Sequence, residues 1–207
     1  KEMNRNSNNH AANQIFESFG GAERFAESIR ERLSLTSNEI KMLNGSGDRV
    51  DLENGFTYNK ATCSAILHIL RDLRLLLKAE GLDLADVMAV AGVDNTSTTG
   101  RLYGNDVTAG SLIAKTGTVN PATTLAGLVT TNNGDYFFMY NMATEGRTAA
   151  EIREDWRDAR AIIRQKITNF IREEKGGRPI KYKSIQFFEI DPLSALQEIP
   201  LASSGGQ

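Results

Sequence analysis

Cysteine is nearly absent from this chain. Cys63 stands alone among 207 residues, so no internal disulfide can form, and the count says little about redox compartment. Only two histidines occur, His10 and His68, on separate predicted helices and without cysteine or carboxylate partners at ligand spacing. No metal site and no cofactor are therefore expected. A serine hydrolase of the G-x-S-x-G type has no elbow to sit on. No apolar run approaches the length needed to cross a bilayer. A net charge of −2, with no Lys/Arg run interleaved with aromatics, gives no reason to expect a nucleic-acid partner. A signal peptide is also missing, but the opening KEMNRNSNN reads like the middle of something longer, so its lack does not argue for the cytoplasm.

What is present is an ordinary globular composition, 40% hydrophobic and 24% charged, long enough for one sizeable domain with a tail. Helical spacing of Ala11, Ala12, Ile15, Phe16 and Phe19 predicts a helix from about Asn8 to Phe19, with Ser7 as its N-cap and Gly20-Gly21 as its stop. A second helix is expected from Ala22 to about Leu33, a turn at Leu43 to Gly47, and a long apolar helix from Thr57 to Ala79. Val87 to Gly110 is rich in Gly, Thr and Asn and reads as a loop. Then LIAKTGTV, TTLAGLVTT and DYFFMYNMA, separated by Asn-Pro and Asn-Asn-Gly, read as a three-stranded antiparallel meander. Thr148 to about Lys175 is a charged amphipathic helix with Ile152, Trp156, Ile163, Ile167 and Phe170 inward. The fold class is thus α/β of the α+β type, an antiparallel sheet flanked by helices. Residues 1–177 form the domain, and 178–207 a tail with one strand-like alternation (Ile180, Tyr182, Ile185, Phe187) and a disordered end.

The chemistry concentrates in two short segments. Gly117 lies inside the first strand of the meander, where a glycine marks a bulge or a close approach by another backbone or a ligand. Lys115 beside it is a fixed positive charge, with Thr116 and Thr118 expected to offer hydroxyls on opposite faces. That suits an extended anionic ligand along the strand. Alone, Lys-Thr-Gly arises by accident in roughly 4% of chains this long, and a Ser-x-Asn triplet such as Ser7-Asn8-Asn9 far more often. Position raises their weight: the triplet falls at a helix start, where oriented N–H groups favour anions. Ser46, in the sequence Asn-Gly-Ser-Gly, reads as a turn residue and not as a nucleophile.

Four segments in order carry a resemblance to a known family. MNRNSNNHAANQIFESFGG is similar to a Ser-x-Asn segment and its helix. LNGSGDRVD resembles an Asp-Gly-Ser-Gly turn with Asn44 in place of Asp. MAVAGVDNTSTTGRL resembles an Ala-Gly-x-Asp-Gly-Thr loop with Asn95 in the Gly position. AGSLIAKTGTVNPATTLAGLVTT is close to a Lys-Thr-Gly-Thr segment. Together they resemble the low-molecular-mass class C penicillin-binding proteins, D-alanyl-D-alanine carboxypeptidases/endopeptidases with a β-lactamase-like transpeptidase fold. The tail after Gly177 matches nothing in that family.

The resemblance implies a serine hydrolase of the periplasm or cell envelope. Its partners would be peptidoglycan peptides ending in D-Ala-D-Ala, β-lactams, and an N-terminal part of the same protein. Ser7 and Lys115 would relay a proton to the leaving amine, and Asn9 would hold the substrate amide. Thr116, Gly117 and Thr118 would bind substrate, the two threonines taking the carboxylate and the Thr118 N–H forming half of an oxyanion hole. The family's nucleophile sits in Ser-x-x-Lys, and no serine here is followed three positions later by lysine. The resemblance therefore implies that Lys1 is a cut, and that the chain by itself is inactive. A non-catalytic peptidoglycan- or protein-binding relative is the alternative. The bare edge of the last meander strand, Tyr136 to Met142, is expected to be covered by Ile180 to Ile190 or by a neighbouring molecule.

Overall fold

The β-branched and aromatic runs after Gly110 form strands because their side chains alternate between two apolar layers, one on each side of a sheet. In the computed structural model, which describes residues 1–180, the chain runs through α1 (Glu2–Asn6), α2 (Asn9–Ser18), α3 (Gly21–Leu33), β1 (Ile40–Lys41), β2 (Val50–Leu52), β3 (Gly55–Thr57) and β4 (Lys60–Ala61). It continues through α4 (Cys63–Ala79), α5 (Leu84–Val87), β5 (Ala89–Val90), α6 (Thr98–Tyr103), β6 (Leu112–Val119), β7 (Ala122–Thr130), β8 (Asp135–Ala143) and α7 (Ala149–Glu173). The main sheet is antiparallel, in the order β5-β6-β7-β8, with two small hairpin-like pairs, β1-β4 and β2-β3, beside it.

The meander stands as the periodicity predicts. Val119 pairs with Ala122 across a two-residue Asn-Pro turn, and Thr130 with Asp135 across a four-residue turn. On one face Leu112, Ala114, Leu125 and Val129 pack against Ile163, Ile167 and Ile171 of α7. On the other, Ile113 and Leu128 pack against Leu70 of α4 and Leu84, Ala85 and Met88 around α5. Each fully buried Ile or Leu contributes roughly 1.5–3 kcal/mol, so the sheet is held from both sides. Helix α7 starts on a capping box in which Thr148 and Glu151 satisfy each other's backbone N–H. A third, smaller core of Leu35, Ile40 and Ala65 with Phe25 and Ile29 ties α3 to α4.

Several expectations need correction. The long apolar helix begins at Cys63, not Thr57, because Thr57 closes the β2-β3 pair and Thr62 caps the helix by accepting from the Ala65 N–H. The expected loop from Val87 to Gly110 contains β5 and α6, whose Ser97 cap accepts from the Gly100 N–H. Its polar composition hid two short elements fixed by tertiary contact. Ser7 does not cap α2. Asn8 does, its side chain accepting from the Ala11 N–H, while Ser7 ends the short helix α1 in the left-handed conformation, φ 51 and ψ 49.

After α7 the chain returns to the end of β6 and β7. Gly177 bridges Thr131, the Arg178 N–H donates to Thr130 O, and the Ile180 N–H donates to Gly110 O. Ile180 thus lies away from the outer edge of β8, which pairs with no strand among the described residues. The alternation Tyr182, Ile185, Phe187 and the proposed cover up to Ile190 fall outside the described residues.

Candidate active site

Strand β6 is longer than the partner on its outer side. Strand β5 pairs only with Ile113 and Ala114, so among the described residues the edge of β6 from Lys115 to Val119 is open. Backbone direction along that edge follows from the ladder. Leu112 O accepts from the Ala91 N–H at 2.9 Å and Ala114 O accepts from the Thr99 hydroxyl at 3.0 Å, so even-numbered residues of β6 aim their polar groups away from β7. The N–H of Thr118 continues that parity and points into the opening. The side chains of Thr116 and Thr118, two apart, share one face and not opposite faces.

Lys115 lies on the other face, and its Nζ donates to Ser7 Oγ at 2.8 Å and to Thr116 O at 2.6 Å. Residues 108 apart thus meet within hydrogen-bond range. Burial lowers the Lys115 pKa from its ordinary value, because a charged ammonium is disfavoured where water is thin. Ser7 is presented on the left-handed corner between α1 and α2, a conformation that costs a non-glycine residue about 1–2 kcal/mol. The corner is held from below. Lys1 forms an ion pair with buried Asp94 at 3.2 Å, Asn4 Nδ2 donates to Val87 O at 2.9 Å, and Arg5 donates to the Thr96 hydroxyl.

Asn9 opens α2, and its Nδ2 donates to both carboxylate oxygens of Asp48 at 3.1 and 2.9 Å. With its donor end committed, its side-chain oxygen is the end presented to a ligand. Asp48 follows the Asn44–Gly47 turn, which packs tightly on α2: a Cβ on Gly45 would fall within 3.0 Å of Ala12 O and the Phe16 Cβ. Ser46 serves that turn, its N–H donating to Asn13 Oδ1 at 2.8 Å. Around these groups runs an open cleft of about 430 Å³ whose walls include Ser7, Asn9, Asp48, Lys115, Thr116 and Thr118.

Gly117 proves to be needed for a reason internal to the sheet. A Cβ there would meet Thr124 Oγ1 within 3.0 Å, on the cross-strand partner. The expected gap for a ligand's backbone is occupied on that side by the protein's own hydroxyl.

The family model of the D-Ala-D-Ala carboxypeptidase 3 (S13) family matches residues 1–163. The chain belongs to that family. Among solved structures, the predatory endopeptidase Bd3459 from Bdellovibrio bacteriovorus, acylated by penicillin G and in complex with immunity protein Bd3460, is 40% identical with a TM-score of 0.83. That likeness covers 90% of this chain and 48% of that one. The predatory endopeptidase Bd0816 of the same organism, also in complex with Bd3460, is 35% identical with a TM-score of 0.81, covering 89% and 45%. Penicillin-binding protein 4 (dacB) from Haemophilus influenzae shares the fold at a TM-score of 0.54 and 17% identity, covering 82% and 40%. This chain therefore spans less than half the length of these relatives. No curated protein sequence matches it.

Members of the S13 family are serine peptidases that act on the cell wall, and the architecture here is that of the penicillin-binding fold. The structure brings together all of the residues expected from the sequence: Ser7, Asn9, Lys115, Thr116, Gly117 and Thr118 line the cleft. Two neighbours escaped the sequence reading. Asp48 was visible only as the residue after a turn motif. Arg160, on α7, donates to Thr118 Oγ1 at 3.1 Å from 42 residues away, and no local pattern marks it. No metal-ligand cluster occurs among the described residues, and none of their helices is long and apolar enough to cross a membrane.

Proposed function

We propose that this chain forms one side of a serine D,D-peptidase site that acts on peptidoglycan stem peptides ending in D-Ala-D-Ala, in the periplasm or cell envelope. The observation that carries the reading is the 2.8 Å contact between Lys115 Nζ and Ser7 Oγ beside the open edge of β6. A proton must leave the attacking hydroxyl and reach the departing amine, and a hydroxyl bonded to a partly buried ammonium of lowered pKa is a competent relay. The nucleophile and its base come from a Ser-x-x-Lys segment outside these 207 residues. That serine attacks the penultimate D-Ala carbonyl and the tetrahedral oxyanion takes a hydrogen bond from the Thr118 N–H. The C–N bond then breaks as the amine gains the relayed proton, and water releases the acyl group. Asn9, oriented by Asp48, accepts from the substrate amide. Thr116 and Thr118 bind the terminal carboxylate, with Gly117 keeping the strand narrow between them.

The same nucleophile opens a β-lactam ring, and the acyl-enzyme then persists. In the full-length protein, release of D-Ala from a D-Ala-D-Ala peptide is expected, with Ser7→Ala lowering kcat by about 10²–10⁴-fold, the usual worth of a proton-transfer group. The isolated 207 residues should form no covalent penicillin adduct. Absence of any peptide cleavage by the full-length protein would refute the reading and favour a binding relative that kept the fold.

A further inference from the structure

We infer that Arg160 is the residue that makes the site select substrates whose leaving amine carries a free carboxylate. This rests on the acyl-transfer reading above and deepens it. Arg160 Nη2 donates to Thr118 Oγ1 at 3.1 Å. With a lone pair taken by the guanidinium, the Thr118 hydroxyl must turn its own hydrogen elsewhere, toward an acceptor in the cleft that Thr118 lines. Arg160 thus sets Thr118 as a donor to an anion and brings a guanidinium, whose fork matches a carboxylate, within one hydrogen bond of the Thr118 hydroxyl.

Arg160 forms no ion pair among the described residues, and its neighbours three and four positions away on α7 are Trp156, Arg157, Ile163 and Arg164, none of them acidic. Arg153, Arg157, Arg160 and Arg164 follow a 4-3-4 spacing that puts four cations on one helix face, a positively charged stripe that favours an anion beside it. Helix α7 is also anchored where the cation is needed. Trp156 Nε1 donates to Val119 O at 3.3 Å, at the end of the open edge, and the Arg160 guanidinium lies 6.0 Å from the Trp156 ring centroid. The aromatic ring thus flanks the guanidinium whose Nη2 is bonded to Thr118.

The test compares two probes in the full-length protein, an N-acylated L-Lys-D-Ala-D-Ala peptide and the same peptide with its C-terminus amidated. The wild type should prefer the carboxylate. Arg160→Gln should lower the ratio of kcat/KM on the carboxylate probe to that on the amide probe by about 10–100-fold, the worth of a charge-assisted hydrogen bond. Arg160→Met, which keeps helix propensity and an apolar stem for Trp156, serves the same comparison if the Gln variant does not fold. An unchanged carboxylate-to-amide ratio in either variant, whether both rates fall together or neither does, overturns the inference and leaves the acyl-transfer reading standing. Failure of the wild type on both probes overturns that reading, and this inference with it.

Discussion

Substituting Gly117 by Ala tests whether β6 needs glycine for its own sheet. The new methyl would sit within 3.0 Å of Thr124 Oγ1, where real Cβ atoms do not go, but 3.8 Å from the Thr124 Cβ, an ordinary contact. The whole clash is with one hydroxyl, which also makes a long 3.4 Å hydrogen bond to Gly117 O. Overpacking of this kind costs about 1–3 kcal/mol, while exchanging Gly for Ala in a strand gains roughly 0.5–1 kcal/mol of backbone entropy. Gly117→Ala alone should therefore destabilise by about 0.5–2 kcal/mol. In a Thr124→Ala background the clash is gone, and the same substitution should stabilise by about 0.5–1 kcal/mol. Urea unfolding of the four proteins in the double-mutant cycle reads the coupling directly. An equal effect of Gly117→Ala in both backgrounds would refute the argument, and would restore the view that glycine is kept only for a ligand.

Three further outcomes follow from the same structure. Asp94→Ala should cost about 3–5 kcal/mol in urea unfolding, because Lys1 and Asp94 are both more than nine-tenths buried and the ammonium loses its counter-charge; a cost under about 1 kcal/mol would show that the pair does not pin α1. Asn8→Ala should cost about 1 kcal/mol by removing the α2 cap, whereas Ser7→Ala should cost nothing through capping; the reverse order in thermal melts would restore Ser7 as the cap. For Lys115 the unfolded chain holds its proton more tightly than the folded one, so wild-type stability should rise as pH climbs from the lowered folded pKa toward the ordinary lysine value of 10.5. The stability of wild type relative to Lys115→Met should therefore rise with pH over this window, and a pH-independent difference would show that Lys115 is not desolvated.

Much of this was legible in the residues. The meander was readable because alternation and β-branching agree with the turns, so local and tertiary preferences point the same way. The long helices were readable from their apolar stripes. Strand β5 was not, since two residues carry no periodicity and Ala89 and Val90 are strand only because Ile113 and Ala114 pair with them. Ser7 was assigned to the right cleft through the wrong local role: serine is a good cap by composition, but Asn8 is one residue nearer the helix and takes the bond. The Ser7–Lys115 meeting came from motif order, not from physics visible in either segment. Asp48 and Arg160 were hidden because their partners, Asn9 and Thr118, are 39 and 42 residues away, and a charged residue on a loop or helix face gives no sign of what it touches.

The most direct test of the account is the rate of penicillin acylation of the full-length protein, followed by mass spectrometry, in wild type and Lys115→Ala. If the Lys115 ammonium beside Ser7 serves the acyl transfer, the variant should acylate on the order of a hundredfold more slowly or worse, with the adduct on a serine outside these 207 residues. Equal rates in the two proteins, or a stoichiometric adduct on any serine between Ser7 and Ser204, would contradict it.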